Sequence, residues 1–201
     1  FISSGGNEGV WNLDYKNSYY YGGITGTGTI SFHSSFGGGK NLKVRDSYFG
    51  NTRPQFRWSD TMTVTGNTFT RYATNVTLNM EVETYGGASQ TGSLGTYYFN
   101  NNRYHRPPNQ TKVAKNNPRN GTASTLYSLT QLKALYSDTA AAYYETGGTE
   151  IVQPTMTETV VYLRPNAYDD HRANVTIYNW PRANTVAINV SSLNWAAGTQ
   201  W

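Results

Sequence analysis

One phrase is written four times along this chain. "LDYKNSYYYGG" (13–23), "LKVRDSYFGN" (42–51) and "MTVTGNTFTRY" (62–72) share a rhythm, and "YYFNNNRYHR" (97–106) keeps it more loosely. Each copy runs apolar, polar, apolar, polar, and then gives a small polar residue and an aromatic. A period of two puts Leu42 and Val44 on one side of a strand and Lys43 and Arg45 on the other. Met62 and Val64 are separated from Thr63 and Thr65 in the same way. Val44 and Val64 lie 20 residues apart. Other alternating pieces lie among the copies: "TISFHS" would bury Ile30 and Phe32, "QFRWS" Phe56 and Trp58, and "NVTLNMEV" Val76, Leu78, Met80 and Val82. Several short strands per turn, repeating at about twenty residues, is the signature of a coiled solenoid. One coil cannot bury its inward face alone, so the next must cover it. The Asn, Asp or Gly after each copy supplies the corner. The period is uneven, because Tyr15 stands 29 residues before Val44. "ETYGGASQTGSLG" (83–95) reads as a loop inserted between coils, where function often resides.

Composition agrees with strands. Only 14% of the 201 residues are charged, while Gly (20) and Tyr (17) are abundant, a mixture that favours pleats and turns over helix. The net charge of +4 is spread along the chain without a basic run, so nucleic acid is not indicated. A diffuse positive charge is ordinary for a surface and also suits an acidic polysaccharide or an anionic cell surface. Cysteine is absent, which excludes disulfides and thiolate metal sites. No apolar run approaches a membrane span. The start at Phe1, without Met or a signal peptide, reads as a mature or excised piece of a longer secreted precursor. Five Asn-x-Ser/Thr sequons, at Asn75, Asn109, Asn120, Asn174 and Asn189, mark candidate glycosylation sites.

The character changes at Arg106. Residues 1–106 read as coils, and 107–127 as a connector rich in Pro and Asn. Residues 128–201 read as a short helix and a β cap packed on the coils. Leu126, Leu129, Leu132 and Leu135 recur every third position, and Ser128 with Gln131 has capping-box spacing, which places a helix at about 128–137. "ANVTIYNW" and "NTVAINVS" look like a hairpin closed by Pro181–Asn184, hiding an otherwise open end of the stack.

"VVYLRPNAYDDHRANVTIYNW" (160–180), with the "SLTQLKALY" helix before it, resembles the C-terminal part of secreted right-handed parallel β-helix proteins of the pectate-lyase-like superfamily. The likeness spans roughly 124–193. It implies an all-β right-handed parallel β-helix, with Arg164, Pro165, Asn166, Arg172, Asn179 and Trp180 in structural roles. The superfamily includes polysaccharide lyases, hydrolases, epimerases, tailspikes and adhesins, so the resemblance carries fold rather than chemistry.

Lys43 and Arg45 are the clearest chemical candidates. They project from one face of one strand, over Asp14 and Lys16 and under Thr63 and Thr65. Cleavage of an acidic glycan by β-elimination needs a base and a cation for the developing enolate, and this pair can be assigned those roles; a carboxylate pair for glycoside hydrolysis would draw on Asp14, Asp46 and Asp60. Arg53, Arg57, His33, Arg71, Arg103, His105 and Arg106 could supplement the face. Asp46 also sits where a turn wants Asp. "YDDHR" (168–172) sets two carboxylates beside a His and reads as a turn. Among the aromatics, Tyr19, Tyr20 and Tyr97, with Arg57, Arg103 and His105, are the expected sugar contacts. No cofactor or metal is called for. The expectation is a secreted or surface module that binds, and by one reading cleaves, polysaccharide. The rival is a self-associating structural subunit of a fibre, sheath or spike without catalysis.

Overall fold

A computed structural model describes residues 12–23, 29–33, 41–57, 61–72, 79–83, 97–116, 123–134, 145–196 and 198. Trp58, Val76, Leu78, Asn75, Asn120 and most of the 83–95 stretch fall outside these. The described residues fall into two compact units that divide between Thr155 and Met156.

In the first unit, strands are dealt in turn to three parallel sheets. β1 (Asp14–Lys16), β4 (Leu42–Arg45), β7 (Met62–Thr65) and β10 (Tyr97–Asn100) form the first. β2 (Tyr19–Tyr21), β5 (Tyr48–Gly50), β8 (Thr68–Thr70), β11 (Arg103–Arg106) and β14 (Thr149–Val152) form the second. β3 (Thr29–His33), β6 (Arg53–Arg57), β9 (Met80–Glu83) and β12 (Ala114–Asn116) form the third, finished by the antiparallel β13 (Thr125–Tyr127). Each copy of the repeated phrase therefore supplies one strand to the first sheet and the next to the second.

The register is the one that the alternation predicts. Val44 pairs with Val64, Leu42 with Met62, and Phe99 with Val64. Val44, Val64 and Phe99 are completely buried. In the second sheet Tyr20, Phe49, Phe69 and Tyr104 stack as an interior ladder with centroid spacings of 5.1, 5.2 and 5.3 Å. Phe32 and Phe56 do the same in the third, at 5.5 Å. Offset ring stacks add to the apolar area that coils bury against one another.

The corner between the first and second sheets follows from residue chemistry. Asn17, Asp46, Gly66 and Asn101 all take positive φ there, 49–66°, a region open mainly to Gly, Asn and Asp. The residue after each builds a polar ladder inside the turn. Ser18 N donates to Ser47 Oγ (3.0 Å), Ser47 N to Asn67 Oδ1 (3.0 Å), and Asn67 N to Asn102 Oδ1 (2.9 Å). Asn102 N in turn donates to Glu145 Oε2 (3.3 Å). The Asn67 and Asn102 amides also reach the carbonyls of Val44 (2.9 Å) and Val64 (2.8 Å). Buried corner backbone is thereby satisfied.

Gly22 lies where a side chain cannot. A Cβ there would stand 2.3 Å from the Asn51 carbonyl oxygen, which is backbone and cannot swing aside. Gly22→Ala is expected to cost about 1–3 kcal/mol by forced displacement, read as a lower urea midpoint at constant slope.

Residues 107–127, expected as connector, contain β12 and β13. Helix α1 (Leu129–Ala134) starts with the expected capping box. Ser128 N donates to Gln131 Oε1 (2.9 Å) and Gln131 N to Ser128 Oγ (3.2 Å). It buries Leu129 and Leu132.

The second unit contains an antiparallel hairpin of β15 (Thr159–Pro165) and β16 (Ala173–Asn179). This corrects the expected hairpin, whose second strand was "NTVAINVS". Residues 184–190 form no strand. Asn179 ends β16 by closing on Ala183, accepting its N–H (3.0 Å) and donating to its carbonyl (2.7 Å). That side-chain closure makes 179–183 a local turn. The hairpin's own turn is 166–172, so "YDDHR" is indeed a turn.

Candidate functional site

The outward faces of the first and third sheets both carry charge. On the first sheet Lys43 stands in register between Asp14 and Thr63, and Arg45 between Lys16 and Thr65. Arg45 is engaged: its Nε donates to Asp14 Oδ1 (2.9 Å), and its Nη2 pairs with Oδ2. The Arg45 hydrogen bond is the main cause holding the Asp14 carboxyl below its usual range, and it raises the guanidinium in turn. Asp46 lies 3.9 Å from Lys16 and has φ 49°, so it makes the corner. The cation pair expected here is thus half neutralised by the coil beside it, and Asp46 acts as a turn residue.

The third sheet presents a more ordered row. Register aligns Ser31, Gln55, Glu81 and Lys115 across four strands. Their neighbours Phe56, Met80, Val82 and Ala114 belong to the core, so alternation turns the row away from it. Ser31 Oγ donates to Gln55 Oε1 (2.9 Å), and Gln55 Nε2 to Glu81 Oε2 (3.1 Å). Arg53 Nε stands 3.6 Å from Glu81 Oε2, and Lys115 Nζ 3.7 Å from Oε1. The Glu81 side chain is only 5% exposed, whereas those of Arg53 and Lys115 are 31% and 29% exposed. Arg71, just past β8, is buried, and burial together with nearby Arg53 pushes its guanidinium down to about 10. Around Glu81 the face therefore sets Arg53, Arg71 and Lys115 about one nearly buried acid, with Arg53 and Lys115 reaching solvent, and Arg57, in register with Glu83, follows on the same side of β6. Such an arrangement can bind an anionic group and hold a carboxyl oxygen near it.

Of the other expected contacts, Arg57 shares the outward side of β6 with Arg53 and Gln55, and the rest are not brought to this row. Tyr20 is half-buried and packs in the ring ladder, and Tyr97 is fully buried. His105 is 1% exposed on the second sheet. Tyr19 and Arg103 are half-buried on that sheet, and Arg57 is half-buried at the end of β6. Among the sequons, Asn109, Asn174 and Asn189 are exposed.

Asp169, Asp170 and His171 bring ligand-type atoms within 4.8 Å of one another. Their contacts belong to the turn: His171 N donates to Asp169 Oδ1 (3.0 Å), and Arg172 Nε pairs with Asp169 Oδ2 (3.0 Å). No described helix is long and apolar enough to cross a membrane.

Sequence reasoning placed Arg53 and Arg71 as additions to the Lys43 face and did not single out Gln55, Glu81 or Lys115. The available signal was a lone acid between two apolar strand positions, Met80 and Val82. No protein-family model matches this chain, and neither a curated protein nor a solved structure does.

Proposed function

We propose that the chain is a right-handed parallel β-helix of pectate-lyase-like kind, acting as a secreted or surface module that engages polysaccharide. The observation that carries this reading is the Ser31–Gln55–Glu81–Lys115 row with Arg53 beside it. Holding a nearly buried carboxyl among polar groups costs more than an apolar face would. The coils already have a complete interior, so packing alone gives no reason for that cost. The row is also linear, as an extended sugar chain is, and the accessible charges on it and beside it, Lys115 and Arg53, are cations.

The test is a glycan panel scored for binding and for unsaturated-product absorbance together. Binding of acidic polysaccharides, weakened by salt, is the expected result. Absorbance growth that disappears in Glu81→Gln would make the module a lyase. A chain that binds no glycan and forms ordered polymers alone would favour the structural rival.

A further inference from the structure

The second unit holds a cleft built by its hairpin and the chain that follows. Register pairs Val161 with Ile177 and Leu163 with Val175, so four apolar side chains share one face of a sheet that has only two strands. Such a face gains by being covered. The tail covers it at one end. The 3-10 turn Ser191–Leu193 is followed by Asn194 at φ 52°, and that reversal brings the Trp195 indole to the hairpin turn, where Nε1 donates to Asp170 O (2.8 Å). The cover is incomplete, and Val175 stays 37% exposed. A cleft of about 390 Å³ remains, with Leu163, Val175 and Leu193 giving apolar surface and Trp195 an aromatic wall. All of its lining residues lie within the described run 145–196.

We propose that this cleft binds one neutral pyranose ring, independently of the third-sheet row. Its volume falls within that of small-ligand sites, roughly 300–1,000 Å³, which join apolar and aromatic walls to a few polar groups. An indole beside aliphatic carbon matches the apolar C–H face of a sugar ring. The polar groups here are donors. Asn166 lines the cleft; its Oδ1 accepts Tyr168 N (2.8 Å), and among the described residues its Nδ2 has no acceptor. Arg172 lines it too; its Nε pairs with Asp169 Oδ2 (3.0 Å), and its Nη groups have no partner among the described residues. Spare N–H groups suit the hydroxyl and ring oxygens of a sugar, which accept. The charges nearby are already matched, Asp169 with Arg172 and Asp170 with His171 Nδ1 (2.7 Å). An ionic ligand would have to break those pairs, whereas a neutral ring uses only the donors they leave over.

The experiment titrates the full chain with methyl glucoside, methyl galactoside and methyl mannoside, and follows the Trp195 indole N–H and the Asn166 side-chain amide by NMR at low and high salt. At least one of the three should shift both signals saturably, with the same affinity at either salt. Asn166→Asp keeps an oxygen to hold Tyr168 N and loses the donor, so binding should weaken about two- to tenfold. Val175→Phe sets a strand-compatible ring in the cleft without touching the turn, and binding should be lost. No saturable shift from any of the three sugars, an affinity unchanged in either folded variant, or shifts that salt abolishes, overturns the proposal. Should Asn166→Asp fail to fold, Val175→Phe decides alone. Neither variant touches Arg53, Glu81 or Lys115, so failure here leaves the acidic-glycan reading standing.

Discussion

Val64→Asp is expected to destabilise the chain by roughly 3–5 kcal/mol, the cost of burying an unpartnered ionisable group in a packed interior. Val64 is completely buried, in register between Val44 and Phe99. Met62, two residues earlier on the same strand face, is equally hidden. The new carboxyl would meet aliphatic and aromatic carbon on this face. The Asn102 amide is already committed to Val64's own carbonyl and to Glu145. The aspartate would either ionise without compensation or take a proton at a cost that grows with pH. Urea unfolding at neutral pH should show the whole loss, and acidification should recover part of it. A midpoint close to that of the wild type would mean that Val64 does not face the interior.

Asn102→Ala should cost as much, about 3–5 kcal/mol, although the residue contributes little apolar area. Asn102 is fully buried. Its side chain accepts from Asn67 N and Asn67 Nδ2 (3.1 Å), and donates to Val64 O and Glu145 Oε1. Alanine leaves the Asn67 N–H, the Val64 carbonyl and part of a buried carboxyl without partners, and each such orphan costs about 1–3 kcal/mol. One rung earlier, Asn67→Ser should be mild, about 1 kcal/mol, because Ser47 performs the same rung with a hydroxyl. Paired urea titrations check the contrast. Equal losses at both positions would show that the amides contribute as volume rather than as a ladder.

Much of the three-sheet stack was legible because strand alternation is a local signal. Leu42, Val44, Met62 and Val64 declare their faces in four-residue windows, and Asn, Asp and Gly declare the corners. The capping box of α1 was legible for the same reason. The hairpin partner was not. "ANVTIYN" can pair with the strand before it or after it, and the choice rests on Asn179 closing on Ala183 rather than on periodicity. The candidate row was hidden for a different reason. Gln55, Glu81 and Lys115 sit 26 and 34 residues apart in sequence. Only the register of the third sheet, which carries no copy of the repeated phrase, brings them side by side. Tyr20 and Tyr97 were ambiguous because tyrosine serves equally as a sugar platform and as a core ring, and only the stack shows that Tyr97 is fully buried and Tyr20 half-buried against Phe49.

The central claim is that the third sheet's outward row receives acidic glycan, and calorimetric titration with an acidic oligosaccharide at low salt tests it most directly. The variant to compare carries Arg53→Gln, Glu81→Gln and Lys115→Gln together, which removes the acid and the two solvent-reaching cations beside it, keeps amides able to hydrogen-bond, and leaves no buried acid without those cations. The account predicts saturable binding by the wild type and at least tenfold weaker binding by the triple variant, about 1.4 kcal/mol or more, with the urea midpoint largely retained. Undiminished binding by a folded triple variant would contradict it.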